Sequence, residues 1–166
     1  MDKNSIIDKE SFEVCTHAED HPKVFVCDKL IAPAVALLNK KGNKTFASCS
    51  GHYKIEFYEY LNEDIKNLEE YQKYDDVIIK KVRDNSFDYW LEVSKTENYI
   101  LFAKEYKFDT LPEGFKVEYD PRTHIWSEIS FYDENDEHRK RSDIQNEIED
   151  KCNRLKEWAE CLTNIN

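Results

Sequence analysis

Apolar side chains recur at every third or fourth position near the end of the chain, from residue 144 to residue 162. This spacing places them on one side of an α-helix. Ahead of them, Ser142 and Gln145 have the spacing of a capping box, which marks a helix start. The sequence therefore predicts a long amphipathic helix over about residues 142–163. Its apolar stripe needs a cover, and a sheet of the same chain is the simplest one, with a partner helix or a second copy as alternatives.

Short runs rich in β-branched and aromatic residues predict the strands of that sheet. They fall at residues 23–27, 44–49, 53–60, 77–82, 87–93, 99–103, 115–119 and 124–132. A helical pattern with Pro33 near its start and Gly42 just past its end predicts a helix near residues 31–41. A shorter pattern among carboxylates predicts another near residues 61–74. The expected fold is α+β, with a mostly antiparallel or mixed sheet of about six or seven strands.

The first part of the chain has no such pattern. Residues 1–21 mix charged and small polar groups without a period, so we expect a loosely ordered lead-in followed by one α+β domain over residues 22–166. No apolar run approaches the roughly 20 residues that a membrane span needs. The five cysteines are odd in number and irregularly spaced, which is typical of reduced thiols. These features predict a cytoplasmic protein without contact to a membrane.

The chain is acidic, with a formal net charge of -11. Such a charge repels a phosphate backbone, so direct binding to nucleic acid is disfavoured. It attracts a basic protein surface, including one that normally holds nucleic acid, although many acidic proteins are acidic only for solubility.

The segment of residues 45–52, TFASCSGH, carries a thiol, hydroxyl groups and an imidazole around a glycine at the end of a predicted strand. Successive amide groups in such a turn can form a concave site for an anion. Hydroxyls of Ser48 and Ser50 and the imidazole of His52 would add to it. Ser48, Cys49, Ser50, Gly51 and His52 are therefore the candidate residues for a phosphate- or carboxylate-bearing ligand.

Two other interpretations of this segment stay open. A tight turn needs only a positive φ at Gly51, a Cys49 that fills the core as a small apolar side chain, and an exposed His52. A Cys/His-dependent enzyme would use Cys49 as nucleophile and His52 as base, which requires a thiol that ionises readily. The sequence does not settle whether the protein is an enzyme, and binding without catalysis is favoured.

Several segments together resemble an uncharacterised group of small proteins from Gram-positive bacteria and their phages. The shared elements are N-K-G-Y-x-T at a helix-to-strand junction, then S-C-S-G-H, a Y-I-x-F strand and an L-P-x-G-F turn. Here the first element corresponds to residues 39–45, with one additional lysine before Gly42 and with Asn43 in place of the tyrosine. The other three correspond to residues 48–52, 99–102 and 111–115. This group has no established function, so the resemblance implies a phage-related context and no activity.

A more distant similarity, confined to residues 26–57, is to the wybutosine-synthesis methyltransferases. Their T-x-S-S-C-S-G-R-I motif matches Thr45 and residues 48–51, and departs at Ala47 and at His52, where the family has arginine. That family carries out S-adenosylmethionine-dependent chemistry on tRNA. An imidazole cannot hold a phosphate bidentately as a guanidinium does.

Two further sets of residues are candidates. Arg122, His124 and Trp126 alternate along a predicted strand, and we expect Arg122 and His124 to border the 48–52 segment, the alternative being an ordinary strand edge. Four zinc-type donors, Cys15, His17, His21 and Cys27, lie close together in sequence. Their spacing matches no closed zinc motif, so an ordinary loop without metal is favoured.

These observations lead to a small binding module whose 48–52 segment takes a small anionic ligand. An acidic, phage-encoded inhibitor that covers a basic nucleic-acid-binding surface is the alternative from another class. The Cys/His-dependent enzyme is the third. No cofactor is predicted.

Overall fold

The structure is a computed structural model that describes residues 4–15, 24–52, 82–84, 87–89, 95–137 and 139–163. The short helix expected near residues 61–74 and the strand expected at 53–60 lie outside the described residues. Of the hairpin expected around residues 83–86, the described parts are β5 (Val82–Asp84) and β6 (Phe87–Tyr89), which pair antiparallel.

The first sheet is built near the amino terminus. It contains β1 (Asn4–Asp8), β2 (Val14–Cys15) and β3 (Val24–Asp28) in the order β2-β1-β3, with both pairings antiparallel. Ile7 of β1 is fully buried in the core. The loosely ordered lead-in that we expected over residues 1–21 therefore differs from the structure in residues 4–15. Ile6 and Ile7 are flanked by polar residues, a run too short to stand out as a strand pattern.

The second sheet has four strands, β4 (Thr45–Cys49), β7 (Lys95–Phe102), β8 (Lys116–Glu118) and β9 (His124–Ser130). Their order is β4-β7-β9-β8, and all three pairings are antiparallel. The α+β class is confirmed, but the single sheet of the sequence-based prediction is wrong, because seven of the described strands divide between two sheets, while β5 and β6 pair only with each other. Among the described strands, β3 and β4 are edges of their sheets, and side-chain bonds rather than a backbone ladder join their ends.

Helix α1 (Ala32–Lys40) connects β3 to β4, close to the bounds expected from sequence. Pro33 lies in its first turn, and Gly42 beyond its end has a φ of 88°. Ile31 and Leu38 are fully buried together with Phe102 of β7. The helix thus stands against the core between the two sheets.

Helix α2 (Arg141–Cys161) is the predicted terminal helix, and its apolar stripe is buried against the rest of the chain. Buried residues of the stripe are Ile144, Ile148, Cys152, Leu155, Trp158 and Ala159. The predicted capping box is wrong, because Lys140 is the N-cap and no side chain bonds there. At the other end, Lys41 Nζ donates to the carbonyl oxygens of Glu160 and Leu162, which satisfies backbone acceptors of the last turn.

Among the helices of the described residues, neither has the combination of length and apolar character needed to cross a membrane.

Candidate functional site

The 48–52 segment leaves β4 through a turn that requires glycine. Gly51 has a φ of +87°, and a Cβ atom placed there would lie 3.4 Å from Cγ2 of Thr96 and 3.6 Å from Cγ1 of Ile148. Any other residue would adopt an unfavourable left-handed conformation. The turn is thereby held between β7 and α2, and it directs Cys49 and His52 toward the end of β3.

The amide groups of this turn bond to side chains. Ser50 N donates to Asp28 Oδ2 at 2.9 Å, Gly51 N to Cys49 Sγ at 3.4 Å, and His52 N to Thr96 Oγ1 at 2.9 Å. The hydroxyl of Ser50 also donates to Asp28 Oδ2, at 3.2 Å. A carboxylate of the protein thus takes the place that we had expected an anionic ligand to occupy. Because these three amide groups already have acceptors, the turn does not offer them to an anionic ligand.

Three reactive side chains converge at this point. His52 Nε2 lies 3.4 Å from Asp28 Oδ2, and one ligand atom from each of Asp28, Cys49 and His52 lies within 4.8 Å of the others. We call these three residues the Asp–Cys–His cluster. The side chain of His52 is 38% exposed and that of Asp28 is 21% exposed, so solvent reaches the cluster.

Electrostatics couples the members of the cluster. The hydrogen bond to Asp28, followed by one to Cys49, raises the pKa of His52 from its ordinary value of 6.5 to about 10. Burial alone would raise the pKa of Asp28, but the hydrogen bonds from His52 and Ser50 outweigh it and lower that pKa. In the protein without ligand, an imidazolium and a carboxylate therefore face each other at neutral pH.

Asn98 and Cys152 support the turn from the core. Asn98 is fully buried, and its Nδ2 donates to the carbonyl oxygen of Ser50 at 3.0 Å and to Cys152 Sγ at 3.1 Å. Burial raises the pKa of Cys152 to about 12, so its thiol stays neutral. These two residues hold the backbone of the turn and do not present a reactive group to solvent.

Tyr99 borders the cluster on the sheet. It is directly opposite Cys49 on one side and Trp126 on the other. Burial raises the pKa of Tyr99, and the nearby charges of Cys49 and Asp28 raise it further. Sequence reasoning missed both Tyr99 and the role of Asp28. An acidic residue that ends an apolar strand is a usable signal for Asp28, whereas Tyr99 needs the strand register.

The other predicted binding residues, Arg122 and His124, contact neighbours of the 48–52 segment: the ring of His124 lies 5.5 Å from that of Tyr99. The guanidinium of Arg122 is 4.3 Å from the ring centroid of Phe46. His124 is opposite Leu101, and its Nδ1 is 4.0 Å from a carboxylate oxygen of Glu118. Within the described part of the chain, neither forms a hydrogen bond, ion pair or ring contact with residues 48–52.

The N-terminal zinc candidate is only partly described. Cys15 and Cys27 lie on β2 and β3, on opposite sides of β1, and His17 and His21 lie outside the described residues. Burial raises the pKa of Cys27 to about 12.

A cleft of about 460 Å³ lies between the facing edges of β3 and β4. It falls in the size range of small-molecule sites. It is lined by Lys9, Phe25, Val26, Cys27, Val35, Thr45, Phe46, Ala47 and Ser48. The lining includes Cys27 and Ser48, the residues just before Asp28 and Cys49, so the cleft adjoins the cluster.

No protein-family model, no curated protein and no solved structure matches this chain significantly. The resemblances stated from its motifs therefore stay predictions.

Proposed function

We propose that this protein is a small binding module whose ligand is held by the Asp–Cys–His cluster. The observation that carries the proposal is the convergence of a carboxylate, a thiol and an imidazole within 4.8 Å of one another. Asp28 is the last residue of β3, Cys49 is the last residue of β4, and His52 lies in the turn after β4. Perturbed ionisable groups gathered beside a cleft are typical of functional sites.

A purely structural role does not account for the whole cluster. The bonds from Ser50 to Asp28 are sufficient to tie the two strand ends together. His52 adds a side chain that is more than one-third exposed, at a position where many residue types would satisfy a turn. A bound ligand that contacts the thiol of Cys49 and the imidazole of His52 would account for the presence of both groups.

The cluster also bears on the kind of ligand. A phosphate or carboxylate at the 48–52 segment would meet Asp28, whose oxygen already accepts the amide of Ser50. The negative charge of such a ligand and the negative charge of the Asp28 carboxylate would repel each other. We therefore expect the ligand to be a metal ion or another electrophile rather than the anion that the sequence suggested. The test below includes both kinds of ligand.

The proposal is tested by thermal unfolding of the protein with a panel of ligands. The panel holds divalent metal ions, inorganic phosphate, nucleotides and carboxylates at millimolar concentration. A ligand present at about 100 times its Kd adds about 2.7 kcal/mol, which raises the Tm of a chain of this size by roughly 5–10 °C. His52→Ala should abolish this shift, and the control His124→Ala should keep it. A panel without any shift, or a shift that His52→Ala leaves intact, contradicts the proposal.

A second candidate is a thiol-dependent enzyme, because the imidazole of His52 lies 3.4 Å from Asp28 Oδ2 and within 4.8 Å of the thiol of Cys49. A thiol, an imidazole and a carboxylate are the kinds of side chain that a cysteine hydrolase or transferase uses. The amides of residues 50–52 are already bonded, so an oxyanion site would have to come from other groups.

Alkylation by iodoacetamide distinguishes this candidate. In the metal-free protein, the thiol-enzyme interpretation predicts that Cys49 is modified about tenfold faster than the exposed Cys161, and that His52→Ala removes the difference. Site-resolved mass spectrometry after short exposure measures both rates. Equal rates at Cys49 and Cys161 would remove the support for catalysis and leave the binding module untouched.

A further inference from the structure

We infer that Asp28, Cys49 and His52 form a zinc site with a fourth coordination position open to solvent. This inference rests on the proposed function, because it names the ligand that the Asp–Cys–His cluster binds.

The donor set is chemically selective. Carboxylate oxygen, thiolate sulfur and imidazole nitrogen are the three kinds of side-chain ligand that zinc takes in proteins. A thiolate is a poor ligand for Mg²⁺ and Ca²⁺, which prefer oxygen. Among divalent metals that cells hold in quantity, this set fits zinc.

The distances suit a tetrahedral ion. Ligand nitrogen and oxygen atoms about 2.0–2.1 Å from zinc are roughly 3.3–3.4 Å apart at a tetrahedral angle. His52 Nε2 and Asp28 Oδ2 are 3.4 Å apart. All pairs of ligand atoms lie within 4.8 Å. A thiolate sulfur about 2.3 Å from the ion would lie roughly 3.6 Å from the other two ligand atoms, so the thiol has at most about 1.2 Å to move.

Asp28 is already oriented for this role. Its Oδ2 accepts hydrogen bonds from the amide and the hydroxyl of Ser50. Partners of this kind fix a ligating carboxylate and raise metal affinity. The same bonds keep Asp28 at the end of β3 before any ion arrives.

Charge favours the ion as well. Binding of the ion displaces the proton of the His52 imidazolium and that of the Cys49 thiol into solvent. The carboxylate of Asp28 and the thiolate of Cys49 then together balance the charge of a divalent cation, and the chain as a whole carries -11. A cation is therefore drawn to the protein and neutralised at the site.

The fourth position stays free of protein ligands in the described part of the chain. The group of potential metal ligands there contains three residues. Cys152 lies beneath the turn, and its thiol accepts a hydrogen bond from Asn98 Nδ2 at 3.1 Å. Three protein ligands and one exchangeable position are typical of zinc sites that act on or bind a further molecule.

The test uses the untagged full chain, stripped of metal by a chelator and titrated with cobalt(II) chloride. Cobalt in a tetrahedral site with a thiolate ligand gives a sulfur-to-metal charge-transfer band and intense visible bands. We expect both bands in the wild type, and their loss when zinc chloride is added. Added azide should shift the visible bands if the fourth position is open, and an unchanged spectrum overturns that part.

Variants assign the bands to the cluster. Cys49→Ser should lose the charge-transfer band, and His52→Ala and Asp28→Asn should weaken cobalt affinity about 100-fold or more. Asp28→Asn keeps an oxygen that can accept from Ser50, so the turn stays folded, as circular dichroism will check. The controls Cys161→Ser and His124→Ala should bind as the wild type does.

Absence of a charge-transfer band in the wild type, or its persistence in Cys49→Ser, overturns the zinc site. Loss of the band in Cys27→Ser but not in Cys49→Ser assigns the metal to the N-terminal cysteines and histidines instead. If no metal binds while an organic ligand of the panel stabilises the protein through His52, the zinc inference fails and the binding module stands. If neither occurs, both fail.

Discussion

Replacing Trp158 by alanine should lower the free energy of unfolding by about 3–5 kcal/mol, since it removes a large buried side chain and leaves a cavity. Trp158 is 7% exposed, and its ring lies 5.0 Å from that of Phe108 in an edge-on arrangement. Its Nε1 also donates to the carbonyl oxygen of Thr110 at 2.9 Å. The side chain thus fastens the second half of α2 to the loop after β7. Urea unfolding followed by circular dichroism measures the change.

Two control variants separate packing from hydrogen bonding. Trp158→Phe keeps most of the ring but leaves the Thr110 carbonyl without its donor, which should cost about 1 kcal/mol for the lost bond. Glu157→Ala changes an exposed neighbour on the same helix, and surface changes of this kind stay within about 0.5 kcal/mol. If Trp158→Ala were no more destabilising than Glu157→Ala, the packing of α2 described above would be wrong.

Replacing Asp28 by alanine should destabilise the metal-free protein by about 1–3 kcal/mol, because the amide of the buried Ser50 loses its acceptor. Ser50 is 4% exposed, so water cannot easily replace the carboxylate. The junction between β3 and the turn after β4 loses its bonds at the same time. Urea unfolding in the presence of a chelator excludes any contribution from bound metal.

Asp28→Asn is the matched variant for this measurement. Its side-chain oxygen can still accept from Ser50, while its charge is gone. We expect it to recover most of the stability that the alanine variant loses, with the remainder reflecting the lost charge opposite His52. Equal losses in the two variants would show that the charge, and not the hydrogen bond to Ser50, holds the junction.

Local patterns predicted much of the fold. The apolar period of α2, the Pro33 and Gly42 boundaries of α1 and the apolar run of β7 depend on residues close together in sequence. The division of the strands between two sheets does not depend on such local patterns. Whether β3 pairs with β4 or with β1 is decided by contacts between distant segments, and the short, mixed run of β1 gave no strand signal of its own. The capping box failed because Ser142 lies inside the helix, which begins one residue earlier.

Local patterns also predicted part of the candidate site, but not the contacts that it makes with distant segments. The composition of residues 48–52 indicated a turn with reactive groups, and the positive φ of Gly51 agrees with it. The partners of its amides could not be found in this way. Asp28 lies 22 residues before Ser50, and Thr96 lies 44 residues after His52. Their positions depend on β3 ending where β4 ends and on the register of β7 against β4.

The junction of β3 and β4 has a mechanical consequence. The edges of two separate sheets meet at the bonds among Asp28, Ser50 and His52, with a cleft opening beside them. A ligand that binds Asp28 at the end of β3 together with Cys49 and His52 at the end of β4 connects the two sheets. Movement of the two sheets relative to each other would then decrease when the site is occupied and increase when it is empty. A single small ligand would thus control how rigidly the two sheets are connected.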